Sequence, residues 1–180
     1  MREPEPGTVV RAQAGDLRAF ETLVRECQAD VWRFAYHLTR SRAAADDVTQ
    51  EAFLHAFRAL RSYRGGESKF SSWLLRIVRN CATDLYRRTR KEDLRAEPLD
   101  AAERSPAGES AEDRIRIEAA LQRLPPELRE PFVMIEVLGF DYRETSAILQ
   151  VKQGTLKSRM HRARARLVAA LSSEEVADEA

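Results

Sequence analysis

The residues whose chemistry is densest for their spacing lie near the end of the chain: Lys157, Ser158, Arg159, His161, Arg162, Arg164 and Arg166. Thr155 and Lys152 stand just upstream, and no acid intervenes before Glu174. Like charges packed this closely repel, and the commonest reason to tolerate them is a polyanionic partner. Leu156, Met160, Ala163, Leu167 and Leu171 fall between them at helical spacing, which predicts a helix over residues 155–171 with a basic outer face. On that helix Lys157, Ser158, His161 and Arg162 share one exposed arc, close to Thr155 at its start. Lys and Arg can donate to guanine O6 and N7, whereas Lys152, Arg159 and Arg164 are better placed for phosphates. The plain alternative is a solvated basic face.

A second group sits on a helix predicted over residues 70–88. Phe70, Trp73, Leu74, Ile77, Val78, Cys81 and Leu85 form its apolar stripe, and Arg76, Arg79, Asn80, Thr83 and Arg87 lie opposite. Arg61, Arg64, Lys69, Arg88, Arg90 and Lys91 flank it, against only Glu67 and Asp84. The stretch 61–69, with Gly65, Gly66 and Ser68, reads as a loop. Tyr63, Phe70, Trp73 and Tyr86 are interleaved with the cations, which suits single-stranded DNA whose bases stack or are held flipped. By spacing alone, Phe70 and Trp73 also fit the core, and for Trp73 the core is the better fit.

A third face has another character. A helix predicted over residues 43–60 turns Val48, Ala52, Ala56, Phe57 and Leu60 inward and presents Asp47, Gln50, Glu51 and Leu54 at i, i+3, i+4 and i+7. Acidic and apolar groups so spaced suit a basic protein partner. Spacing alone fits a solvated acidic face better.

No paired catalytic carboxylates, Ser/His/Asp set, metal-spaced His/Cys cluster or phosphate-cradling Gly loop is visible, so the sequence argues against an enzyme and calls for no cofactor and no metal. His37, His55 and His161 have no evident partners by sequence. Cys27 and Cys81 form no CxxC pair and fall on apolar stripes, which predicts buried free thiols.

These groups need helices to position them. A hydrophobic content of 43% with seven Gly and seven Pro predicts an all-α protein able to build cores. The net charge of +1 says nothing about nucleic acid; the distribution does. A first helix over residues 17–38 carries Leu17, Phe20, Leu23, Val24, Cys27, Val31, Phe34 and Leu38 on one stripe. It forms, with the two helices above, a domain over residues 1–90. Residues 91–113 lose periodicity and collect acids with Pro98, Pro106 and Gly108, as a flexible acidic linker does. A small second domain follows over residues 114–173, then an acidic tail at 174–180. Within it, Pro125 or Pro126 suits a helix start, Gly139 a stop, and Asp141 with Glu144 has the capping-box layout for a helix over 142–149. A tight turn at 150–154 then leads to the basic helix, which is the helix-turn-helix layout. No apolar run is long enough to span a bilayer and the N-terminus carries no apolar signal segment, so a cytoplasmic protein is expected.

Together these segments resemble the extracytoplasmic-function sigma factors over nearly the whole chain. Residues 45–53 (Ala, Asp, Asp, Val, Thr, Gln, Glu, Ala, Phe) are similar to that family's core-polymerase-binding motif. Tyr63, Arg64 and Gly65, with residues 70–80, Asp84, Arg87 and Arg88, are similar to its −10-recognition and melting segment. Residues 124–132 and 154–164 are similar to its −35-binding domain. The resemblance implies that Asp47, Gln50, Glu51 and Leu54 dock on core RNA polymerase at the β′ clamp helices, against the reading from spacing alone. The second domain would meet the β flap. It implies that Asn80 and the loop 62–72, with Tyr63, Arg64, Ser68, Lys69 and Trp73, hold a flipped non-template base, and that Lys157, Ser158, His161 and Arg162 read duplex promoter DNA at −35. It also implies control by an anti-sigma factor. The chain departs from the family pattern in a loop one residue longer at 64–70, in Lys152 where a Pro is common, and in Thr145 and Ser146 where Ile and Ala are usual, a change expected to loosen the packing there. A free-standing helix-turn-helix regulator is the competing reading. It needs a dimer seam, for which no spare apolar helix is evident.

Overall fold

The computed structural model describes residues 1–66, 68–92 and 109–178. Among these the regular elements are all helical: α1 (Pro6–Gln13), α2 (Leu17–Thr39), α3 (Arg42–Ala59), α4 (Phe70–Glu92), α5 (Glu109–Arg123), α6 (Pro126–Phe132), α7 (Tyr142–Leu149) and α8 (Gln153–Asp178). A 3-10 turn, Leu60–Ser62, ends α3, and a π-helical turn, Val133–Val137, extends α6.

Local chemistry sets most boundaries. Gly15 at φ +99° turns the chain between α1 and α2, and the Asp16 carboxylate accepts from the Arg18 and Ala19 amides at 2.9 and 3.2 Å. Arg40 ends α2 in the left-handed region, and Ser41 caps α3 through the Ala44 amide. Pro131 has no amide hydrogen, so a rung of the α6 ladder is missing; the π turn that follows closes with Leu138 donating to the Val133 carbonyl. Arg129 is 2% exposed and donates to the carbonyls of Gln122 and Leu124, capping the C-terminal end of α5 from the next helix.

The first domain packs α2, α3 and α4 around Leu23, Cys27, Val31, Phe34, Val48, Leu74, Leu75 and Val78. Ala45, Ala52 and Ala56 give α3 a small-residue face, which lets it approach α2 closely. Both cysteines are free and buried, as expected. A second cluster of Ala120, Leu121, Leu124, Leu128, Ala163 and Leu167 joins α5, α6 and α8. The larger core continues across the domain boundary into Val133, Met134, Leu138, Phe140, Ile148 and Leu149. The two halves therefore share apolar surface, which no residue pattern along the chain reveals.

Several expectations need correction. Leu17 and Phe57, placed on buried stripes by periodicity, are 66% and 46% exposed. Leu17 opens α2 beyond the packed region. Phe57 lies towards the Gln50 and Leu54 side of α3 and meets Phe20 edge-on, with ring centroids 4.9 Å apart. The helix α1, with Val9 and Ala12 in the core, precedes the first helix predicted from the pattern. The last helix begins at Gln153 and continues to Asp178, through most of the segment read as a tail. Of the expected linker, α4 reaches 92 and α5 starts at 109; residues 93–108 lie outside the described residues.

Candidate nucleic-acid interface

The helix-turn-helix is built as its residues suggest. Gly139 adopts φ +75°, where a side chain would be strained. The Asp141 carboxylate accepts from the Glu144 amide at 2.7 Å, and Glu144 returns the bond to the Asp141 amide at 3.0 Å, completing the capping box of α7. Gln150 ends α7 with φ 56°, and the Ser146 hydroxyl donates to the Val151 carbonyl, fastening the turn. Thr145 is fully buried and its hydroxyl has no partner among the described residues. The unusual pair thus has two effects: Ser146 tightens the turn, and Thr145 leaves a polar atom in the core.

On α8, Leu156, Met160, Ala163 and Leu167 are buried, while Thr155, Lys157, Ser158, His161 and Arg162 are exposed together on the other side; Arg159 is half-buried at its edge. Lys152 is exposed in the turn. None of Lys152, Lys157, Arg159 or Arg162 has an ion-pair partner among the described residues. Arg164 does, at 2.6 Å from Glu136, so this cation is committed within its own domain. This arc therefore carries positive charge uncompensated among the described residues at the N-terminal half of the helix, the half that a helix-turn-helix presents to a groove.

Residues of the second group are brought onto α4 and its approach loop. Arg76, Asn80, Thr83 and Arg87 are exposed along one side. The aromatics Tyr63, Phe70 and Trp73 form a triad with centroids 5.1–5.7 Å apart, Phe70 buried and the other two partly open. The Tyr63 hydroxyl donates to the Ser68 carbonyl at 2.7 Å and closes the loop that holds Arg64, Gly65 and Gly66. Trp73 is thus at once core and loop wall.

This face is not wholly open. Lys69 pairs with Glu144 at 2.7 Å and Arg79 with Glu130 at 3.1 Å, both acids belonging to the second domain. Glu144 and neighbouring carboxylates, chiefly through that hydrogen bond, hold the Lys69 ammonium above its ordinary pKa. Between the start of α4 and the start of α7 lies a cavity of about 310 Å³, lined by Ser68, Lys69, Ser72 and Arg76 on one side and Asp141 and Arg143 on the other. The second domain thus contributes Arg143, a cation at the mouth that sequence reasoning missed. His37 finds partners too: its Nδ1 is 3.5 Å from Glu118 and from the Gln122 amide nitrogen, both on α5. Burial pushes its pKa below the usual range, with Glu118 pulling the other way.

On α3, Asp47, Gln50 and Leu54 are exposed together and Phe57 extends them. Glu51 is half-buried, 3.0 Å from Arg88 of α4 and 3.9 Å from His55, so it is drawn towards the other surface. His55 also stands 3.9 Å from the Cys81 sulfur.

Comparison with known proteins decides the family. Residues 23–92 match the model described as Sigma-70 region 2, and residues 114–167 match Sigma-70, region 4. The chain is 37% identical over 172 residues to the ECF RNA polymerase sigma factor SigE of Mycolicibacterium smegmatis, covering 89% of this chain and 66% of that one. It is 39% identical over 158 residues to SigM of Mycobacterium tuberculosis, covering 86% and 78%. The chain belongs to the ECF RNA polymerase sigma factors. Among solved structures, this sigma factor superposes on RpoE of Bartonella quintana in complex with the anti-sigma factor NepR at TM-score 0.75 and 28% identity, covering 85% and 96%. It superposes on CnrH in complex with the cytosolic domain of CnrY at TM-score 0.70 and 28% identity, covering 92% and 96%. In this sigma factor α1 and the first turns of α2 precede the region 2 match.

Proposed function

We propose that this sigma factor joins core RNA polymerase in the cytoplasm and directs initiation at promoters with two boxes, reading the −35 element as duplex and helping to open the −10 element. The observation that carries the reading is the outer face of α8, with Lys157, Ser158, His161 and Arg162 exposed together behind a capped α7 and a fastened turn. Arg76, Asn80, Thr83, Arg87 and the loop around Tyr63, Arg64, Ser68 and Lys69 take the non-template strand at −10, with Arg79 and Arg88 on phosphates once their acids release them. Asp47, Gln50, Glu51 and Leu54 dock on the β′ clamp helices, and the second domain meets the β flap. No step requires a catalytic group of the chain itself, because melting is driven by binding energy for the flipped, unstacked strand. An anti-sigma factor, as solved with the Bartonella RpoE, restrains it by covering these surfaces.

The deciding experiment is run-off transcription from fragmented genomic DNA with core polymerase, with and without the protein. New transcripts whose 5′ ends share two upstream boxes are expected. Absence of such transcripts, with the protein alone shifting duplex DNA, would instead establish a free-standing regulator.

A further inference from the structure

The loop that approaches α4 is fastened at both ends by residues from outside the region 2 match. At its far end, α4 starts at Phe70 directly after Lys69, whose ammonium cannot accept a hydrogen bond and so cannot cap the helix. The acceptor comes from a distant part of the chain. The Glu3 carboxylate takes the Phe70 amide at 2.6 Å and the Ser71 amide at 3.1 Å. At its near end, the Gln13 side-chain amide donates to the Leu60 carbonyl at 3.1 Å and the Tyr63 carbonyl at 2.8 Å. The segment bearing these two residues is itself anchored, because Thr8, Val9 and Ala12 of α1 are buried against the first domain. Between the two fastenings the Tyr63 hydroxyl spans the loop to Ser68.

We propose that residues 3–13 act as an arm that sets the width of the −10 loop, with Glu3 and Gln13 as positioning residues for base selection. This rests on the reading of α4 and its loop as the −10 site. Neither residue touches DNA in this role. Each fixes one end of a segment rich in Gly and Ser that would otherwise sample many shapes, and a base pocket discriminates only if its walls are held before the base arrives. The arm's effect is therefore on discrimination between −10 sequences rather than on attachment to polymerase.

The test uses the full chain on core polymerase, with a promoter fragment recovered by run-off transcription and the same fragment with its −10 box scrambled. Open-complex formation is read from 2-aminopurine fluorescence in the −10 box, and core affinity is measured in parallel. Glu3→Ala and the near-isosteric Gln13→Glu, which cannot donate, should each reduce the preference for the intact box roughly tenfold, the order expected for loss of a cap. Core affinity should be unchanged, and Glu3→Asp should recover most of the preference. If Glu3→Ala also loses core affinity through unfolding, Glu3→Gln, which keeps one acceptor, and Gln13→Glu decide. Preference equal to that of the unmodified protein in both overturns the proposal. If the unmodified protein itself shows no preference, the −10 reading fails and not the arm alone.

Discussion

At the scale of single residues, the cations divide into those that are free to read and those already engaged. Lys157 and Arg162 are unpaired among the described residues, so replacing either with Ala should lower promoter use by roughly 1–3 kcal/mol of base contact while leaving core affinity intact. Promoter titrations with the variant holoenzymes check this, and unchanged promoter preference would remove the residue from the −35 reading set. Arg164 should matter less, since the bond to Glu136 must first be given up. The exposed basic face of α8 was legible because cations recur at helical spacing with no acid between them. The partners of His37, the approach of His55 to Cys81 and the pairing of Arg88 with Glu51 were not legible, because each joins residues on different helices. Cys27 gives a pH test. Burial pushes its thiol up to about 12, against 9.0 for the unburied group, so the folded form keeps a proton that the unfolded chain releases first. Its contribution is complete below pH 9 and is lost as pH rises towards 12. Denaturant unfolding over that window should show a steeper loss for the parent than for Cys27→Ala, and parallel curves would contradict it.

At the scale of elements, the caps explain why short helices hold. Asp141→Ala removes one half of the α7 capping box and should cost about 1 kcal/mol in urea unfolding, where no change would mean that packing alone sets the start of α7. Thr145 predicts the opposite sign. Its hydroxyl is buried without a partner, and such a group costs about 1–3 kcal/mol, so Thr145→Val should stabilise the protein. A lower midpoint for that variant would show that the hydroxyl is satisfied after all. The capping box, the Gly139 stop and the three strong helices were readable from residue type and offset. The π turn after Pro131 and the role of Arg129 were not, since the first depends on how a missing amide is absorbed and the second on a side chain reaching back to the preceding helix. Periodicity also misplaced Phe57, because a helix with a broad small-residue face leaves its last large residue at the margin of contact.

At the scale of the molecule, the question is what holds the two halves together. Lys69–Glu144 and Arg79–Glu130 are partly exposed pairs, which solvent and salt screen, so they hold the halves together only weakly. Fully burying a side chain such as Met134 or Leu138 is worth about 1.5–3 kcal/mol, so the apolar seam outweighs the ion pairs. The radius of gyration from small-angle scattering should therefore be the same at 0.05 M and at 1 M salt, although the screening length falls from roughly 14 Å to about 3 Å; expansion at high salt would mean that the ion pairs dominate. Acid should act where salt does not. His37 is held neutral by burial, so its contribution is present above pH 6.5 and is lost as pH falls below that value. One bond in the same frame has a thermodynamic corollary. Glu51 of the proposed docking face and Arg88 of the proposed DNA face neutralise each other at 3.0 Å. A partner that takes the Glu51 carboxylate leaves Arg88 as an unspent cation on the opposite surface, and a phosphate that takes Arg88 leaves Glu51 equally available. The two occupancies are then linked, and linkage runs with the same strength in both directions.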